Sequence, residues 1–200
     1  MATPIRVIVV AGNGTNCERE TAHACRQGGA DVVDTVMIWD LLAGEAQLGD
    51  YHWLCLPGGF LDGDDLGAGK AAAIRWRHAR QSGGERRLVD DLQAFIENGK
   101  LVLGICNGFQ LMAKLGLVPA SGRGVEGSLP AQQASLGHND SGRFEDRWVR
   151  LGVDPASPCV FTRGLTTLEL PVRHGEGKVI LSGPEVVEEV RRGHLAPLVY

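Results

Sequence analysis

A doubly wound α/β fold, with a mostly parallel sheet and helices on both faces, is the architecture this sequence predicts. Three observations lead to it. The chain has 200 residues, 44% of them hydrophobic and 22% charged, which is enough for one sizeable core and short for two. IRVIVV (5–10) is a continuous β-branched run of the kind that is buried on both faces of a parallel sheet. Strand-like and helix-like segments then alternate as far as Gly116.

The elements follow in order. After IRVIVV and the turn AGNG, Thr15 and Glu18 have capping-box spacing, so a helix is expected from near Asn16 to the Gly28-Gly29 pair. DVVDTVMI (31–38) reads as the second strand and HWLCLPGG (52–59) as a third that ends in a Pro-Gly-Gly turn. Leu88, Leu92, Phe95 and Ile96 form one apolar stripe on a helix closed by Gly99, and LVLGI (101–105) is the fourth strand. FQLMAKLG (109–116) is helix-like. Beyond Gly116, residues 119–146 are rich in Gly, Ser, Pro and Gln, and short strands are expected at Arg147–Leu151, Leu168–Val172 and Lys178–Leu181. These are antiparallel strands and loops appended to the sheet. The whole is read as a single domain, residues 1–200.

A net charge of −4 with interspersed signs carries no footprint of a nucleic-acid or membrane binder. The basic stretch Lys70–Arg87 reads as a solvated helix and loop. No signal-peptide pattern and no apolar run of about 18 residues is present, so a cytoplasmic protein is expected. Five scattered cysteines without CxxC spacing argue against a disulfide framework or a zinc site, and no metal ligands are assigned. Cys17, near a helix start, is expected to be mildly acidic, whereas Cys25, Cys55 and Cys159 read as small buried hydrophobes.

Gly104-Ile105-Cys106-Asn107-Gly108 has the G-x-nucleophile-x-G form of a nucleophile elbow between a strand and a helix. Gly104 and Gly108 remove the side chains that would collide in so sharp a turn, and the following helix start favours thiolate at Cys106. The Asn107 N–H would face an oxyanion, and Gly58-Gly59 on the neighbouring strand would supply a second donor, from Gly59. A buried cysteine in a tight turn is the plain structural alternative. Asn13, Thr15 and Asn16, at the carboxyl edge of the first strand, face the same crevice.

GNGTNCERE (12–20), LPGGFLDGDDLGAGKAAA (56–73), GICNGFQLM (104–112), HNDSGRFEDRWV (138–149) and PVRHGEGK (171–178) together resemble the class I glutamine amidotransferases. Within that family the resemblance is closest to the glutaminase subunits or domains of phosphoribosylformylglycinamidine synthases. It implies that Cys106 attacks the side-chain amide of L-glutamine, forms a γ-glutamyl thioester, and releases ammonia and then glutamate. The ammonia would pass through a channel to a synthetase component, which uses ATP and Mg to convert formylglycinamide ribonucleotide to the amidine in purine biosynthesis. No cofactor is implied for this chain, whose Gly12-Asn13-Gly14 lacks the GxxxxGK[ST] form of an ATP site. By the same resemblance Gly58, Phe60, Gln110, Asn139, Ser141, Arg143, Phe144, His174 and Glu176 line the glutamine pocket or face the partner.

In this family the histidine base and its carboxylate sit in an MPHPE-like motif, which this sequence lacks. The chain therefore reads as missing its triad-bearing C-terminal segment, and the 200 residues alone are expected to be inactive. His174-Gly175-Glu176 has the right His-x-Glu spacing but lies in a separate family block. His23, His52, His78 and His194 read as surface or core residues, and His138 as a contact to glutamine or the partner. The sequence leaves two other readings open: a cysteine hydrolase of the intracellular-protease-like kind, and a non-catalytic docking fragment.

Overall fold

The computed structural model describes residues 3–121 and 129–200. Among these, one compact unit comprises residues 3–115 with Leu129, and a second comprises residues 116–121 and 130–200. Of the polar stretch 119–146, residues 122–128 lie outside the described residues.

The first unit is the parallel sheet. Strand β1 (Arg6–Ala11) is followed by helix α1 (Glu18–Gln27), strand β2 (Val32–Met37), helix α2 (Ile38–Ala43) and strand β3 (Trp53–Leu56). Helices α3 (Lys70–His78) and α4 (Leu88–Glu97), strand β4 (Leu101–Gly104) and helix α5 (Asn107–Leu115) complete it. The strand order is β2-β1-β3-β4, every pair parallel. The chain switches direction across the sheet between β1 and β3, so the loops after these two strands open a crevice at their carboxyl ends.

Alternation along the strands sorts the core. Val7, Val9, Val33 and Cys55 point to one face, where Ala22 and Cys25 of α1 cover them. On the other face Val10 and Leu56 lie against Ala72 and Trp76 of α3 and Leu111 of α5. Helices therefore cover both faces, which is why β1 is buried along nearly its whole length.

Several expectations change in detail. The capping box at α1 does not form: Cys17 is the N-cap and caps nothing through its side chain, while Thr15 Oγ1 accepts the Gly12 N–H at 2.9 Å inside the preceding turn. Ile38 opens a helix instead of ending a strand. The Asp40 carboxylate accepts the Met37 N–H at 3.0 Å, Ile38 and Leu41 are buried, and Gly44 closes the helix in the left-handed region. Ile96 lies at the exposed rim of the α4 stripe, not in the core. The basic stretch is only partly solvated. Arg75 forms a bidentate pair with Asp62 and lies over the Trp39 ring, and Arg77 donates to the Leu115 carbonyl at 2.9 Å.

The second unit is antiparallel. Strand β5 (Ala134–Gly137), inside the stretch expected to be loop, pairs with strand β8 (Lys178–Leu181). Strand β6 (Glu145–Val153) pairs with strand β7 (Thr167–His174) and with strand β9 (Leu198–Val199). Val149, Leu151 and Val172 form its small core, with Leu198 against them. Helix α6 (Pro184–Arg192), with Pro at its first turn, precedes β9. No helix among the described residues is long and apolar enough to cross a membrane.

Leu54, in β3 between β1 and β4, is fully buried. Leu54→Ala is expected to cost about 2–5 kcal/mol of unfolding free energy, read as a lower urea midpoint at unchanged m-value. A midpoint within experimental error of wild type would show that β3 is not the centre of the packed core.

Candidate active site

The site begins with the register of two strands. Leu56 of β3 pairs with Gly104 of β4, and the Ile105 N–H donates to the Leu56 carbonyl at 3.1 Å, so both strands end level at the carboxyl edge. Between β4 and α5 the chain turns in one residue. Cys106 has φ +54°, the left-handed region that an L-residue enters at a cost of about 1–2 kcal/mol. Such strain is held only where the surroundings over-determine it.

The two flanking glycines show how. A Cβ on Gly108 would lie 1.9 Å from the Leu56 carbonyl oxygen, and one on Gly104 2.5 Å from Met112 Sδ and 2.7 Å from the Gly108 carbonyl. Helix α5 thus starts in direct backbone contact with β3, and Cys106 is lifted out to an exposed position. The Gly108 N–H donates to the Ile105 carbonyl and the Gln110 N–H to the Cys106 carbonyl. Among the described residues, Cys106 Sγ makes no hydrogen bond, and neither do the N–H groups of Asn107, Gly58 and Gly59.

The second wall is the loop after β3. A Cβ on Gly58 would meet Cys106 Cβ at 3.3 Å and Sγ at 3.8 Å, so this backbone passes beside the sulfur. On its far side the loop is sewn to the loop after β1. Asn16 N–H donates to Gly58 O at 3.2 Å, Phe60 N–H to Gly14 O at 2.8 Å and Asp62 N–H to Asn13 O at 2.8 Å. Asn13, Thr15 and Asn16 are therefore brought to Gly58-Gly59 and, through it, to Cys106. Phe60 is 65% exposed. Gln110, one turn into α5, accepts from the Asn107 side chain at 3.0 Å.

The remaining thiols differ. Cys17 is raised above the usual thiol range, first by burial and then by the charges of Glu20, nearby Cys106 and Glu18, which corrects the expectation of an acidic Cys17. Cys25 and Cys55 touch at 3.7 Å between sulfurs in the core, and burial followed by Cys25 pushes the Cys55 thiol far up. Cys159 is half-buried, not buried. The histidines of this unit do not gather at the thiol's edge. His52 precedes β3 and accepts the Arg6 N–H at 3.1 Å at the amino end of the sheet, while His23 and His78 lie on α1 and α3.

Asn139, Ser141, Arg143, Phe144, His174 and Glu176 belong to the second unit and cluster with one another. Asn139 is their centre. Its Oδ1 meets His174 Nδ1 and the Gly177 N–H, each at 3.0 Å, and its Nδ2 donates to the His174 carbonyl at 2.8 Å and the Arg143 carbonyl at 3.0 Å. Ser141 Oγ donates to the Arg143 carbonyl, and Phe144 is exposed. Glu176 faces His138 at 3.7 Å and not His174, so His174 and Glu176 do not form an imidazole–carboxylate pair.

Sequence reasoning assigns no site role to Asp62, Asp64 or Arg75. Asp64 binds the Asn107 carboxamide and the Gly69 N–H, and Asp62 pairs with Arg75. The signal was the DGD tripeptide of residues 62–64. All three of its residues have positive φ, a conformation that Asp and Gly tolerate better than most.

Residues 4–200 match the family described as a CobB/CobQ-like glutamine amidotransferase domain. The chain is 43% identical over 173 residues to the phosphoribosylformylglycinamidine synthase subunit PurQ of Methanococcus maripaludis (strain C5), covering 86% of this chain and 59% of that relative. It is 40% identical over 186 residues to the PurQ subunit of Dehalococcoides mccartyi, covering 93% and 67%. The structure of PurLQS from Thermotoga maritima superposes with TM-score 0.66 at 28% identity, over 91% of this chain and 72% of that one. The chain thus spans about three fifths to two thirds of the length of these curated relatives.

Two outcomes follow from the geometry. Gly108→Ala is expected to push α5 off β3, costing roughly 1–3 kcal/mol and slowing Cys106 alkylation by iodoacetamide; wild-type melting and alkylation would mean the helix start is not held there. Because a raised thiol holds less thiolate at a given pH, Cys17 is expected to alkylate more slowly at pH 8 than an unperturbed thiol. Site-resolved mass spectrometry showing Cys17 faster than a model thiol would contradict the raised pKa.

Proposed function

We propose, for a chain that belongs to the CobB/CobQ-like glutamine amidotransferase family, that its reaction is the hydrolysis of L-glutamine through a Cys106 thioester. The 200 residues act as one amidotransferase domain and supply the glutaminase component of a phosphoribosylformylglycinamidine synthase. The observation that carries the reading is the left-handed Cys106 at the carboxyl edge of β4, with the Gly58 backbone alongside and uncommitted N–H groups at Gly59 and Asn107. The family description supports glutamine as the substrate, and the names of the relatives support the synthase to which the component belongs.

The Cys106 thiolate attacks the δ-carbon of glutamine, and the carbonyl oxygen becomes an oxyanion held by the N–H groups of Gly59 and Asn107. The C–N bond then breaks, a proton is delivered to the departing nitrogen, and ammonia leaves a γ-glutamyl thioester. Water adds to the thioester, glutamate departs, and the thiolate returns. Ammonia passes on to a synthetase component, which binds ATP and Mg and forms the amidine. Gln110 lies beside this wall as a glutamine contact, whereas Asn139, His174 and their neighbours are assigned to the partner-facing side.

Proton delivery calls for a histidine, and the unit that carries Cys106 places none of its three at the carboxyl edge by sequence position. General acid–base assistance is typically worth ~10²–10⁴-fold. Turnover is therefore expected to fall below that of a glutaminase with a histidine at that edge by about that factor.

An electrophilic glutamine analogue is expected to label Cys106 alone among the five cysteines, and Cys106→Ala to bring glutamate release down to background. Labelling that persists in Cys106→Ala, or glutamate release that does, would remove Cys106 from the reaction. Peptidase activity in place of glutaminase activity would turn the reading toward a cysteine hydrolase.

A further inference from the structure

Asn107 is 1% exposed, the one fully buried polar side chain beside the nucleophile among the described residues. A buried carboxamide is tolerated only with its donors and acceptor satisfied, and here the partners also dictate which way it points. Its Oδ1 accepts the Leu61 N–H at 3.0 Å. Its Nδ2 donates to Asp64 Oδ1 and Oδ2, both at 3.1 Å, and to Gln110 Oε1 at 3.0 Å. A carboxylate can only accept, so Asp64 fixes Nδ2 on its side and leaves Oδ1 for Leu61. Asp64 is held in turn by the Gly69 N–H at 3.1 Å.

Leu61 lies two residues after Gly59. The segment between is bound on its far side to the loop after β1 through Phe60 N–H to Gly14 O and Asp62 N–H to Asn13 O. It continues through three successive left-handed residues, Asp62 at φ +55°, Gly63 at +71° and Asp64 at +54°. Without an anchor on the α5 side, a run with two strained non-glycine residues has little reason to keep this shape. Asn107 supplies the anchor. Its own backbone N–H is one proposed oxyanion donor, and its side chain holds the segment that carries the other.

We propose that the Asn107 carboxamide, oriented by Asp64, is a positioning group that sets the Gly59 donor relative to the Cys106 sulfur. The inference rests on the amidotransferase reading for its catalytic consequence and on the hydrogen-bond geometry alone for the latch. It touches neither the sulfur nor the substrate carbonyl through its side chain. The effect is on the transition state, so the acylation rate falls while substrate affinity holds.

The test is an exchange of the two side chains. In Asn107→Asp the acceptor for Leu61 remains but two carboxylates oppose each other. In the double variant Asp64→Asn with Asn107→Asp, an amide again meets a carboxylate, now reversed, and the carboxylate introduced at position 107 still accepts the Leu61 N–H. Two readouts are taken on the full chain. Hydrogen exchange of residues 57–66 reports the latch, and release of p-nitroaniline from L-γ-glutamyl-p-nitroanilide reports acylation. Asn107→Asp is expected to speed exchange and to slow acylation roughly 10²-fold, the loss typical of a misplacement near 1 Å. The double variant should recover both to within a few-fold, a coupling that independent sites would not show. Exchange that is unchanged in Asn107→Asp, or not restored in the double variant, overturns the latch. Recovery of exchange without recovery of acylation overturns the positioning role. A wild-type chain whose Cys106 is not labelled by an electrophilic glutamine analogue would instead sink the amidotransferase reading, and exchange would still decide the latch.

Discussion

The contact on which the site depends is between backbone and backbone: the Leu56 carbonyl of β3 against Gly108 of α5. Helix α5 can start that close to the sheet only because residue 108 has no side chain, and it must start there because Cys106 turns the chain within one residue. The left-handed conformation of Cys106 is the consequence. Its cost of about 1–2 kcal/mol is modest beside the burial of Leu111, Met112 and Leu115 on the same helix. The helix is anchored by its apolar face, and the sulfur stands clear of the sheet because of it.

The rest of the crevice is built from main chain. The loops after β1 and β3 are joined by N–H to carbonyl bonds, and each tolerates the other only through glycine. A Cβ on Gly14 would lie 2.0 Å from the Phe60 carbonyl oxygen, and one on Gly59 2.4 Å from the Gly14 carbonyl oxygen. Gly59, at φ +142°, also occupies a conformation closed to most other residues. The wall beside the sulfur is therefore fixed by main chain without being crowded by side chains, as the proposed oxyanion donors at Gly59 and Asn107 would require.

The second unit obeys a different logic. Its three-stranded sheet has a core cluster of three buried side chains among the described residues, and its order near β7 comes from a polar hub. Asn139 ties the turn before β6 to the end of β7 through four hydrogen bonds to His174, Arg143 and Gly177. An asparagine and a histidine that the resemblance places in the glutamine pocket or facing the partner are here engaged in holding two strand ends together. Trp148, 73% exposed on the outer face of β6 beside Pro171, shows that this face is not covered by any described residue of its own sheet.

Periodicity and glycine placement in the sequence determined the parallel sheet, the position of the Cys106 turn and the nearness of Pro57-Gly58-Gly59 to it. Each of these is a local rule: a strand buried on both faces must be apolar throughout, and a one-residue turn must be flanked by glycine. Tertiary structure decided what depended on partners distant in the chain. Thr15 left its expected capping role for the Gly12 N–H, Ile38 left a strand for a helix capped by Asp40, and Cys17 became less acidic because of burial and its charged neighbours. Asp64 stands 43 positions from Asn107, and no period or spacing links them. Their meeting follows from the register that sets Leu56 beside Gly104, because only once the two strands end level does the loop after one reach the helix after the other.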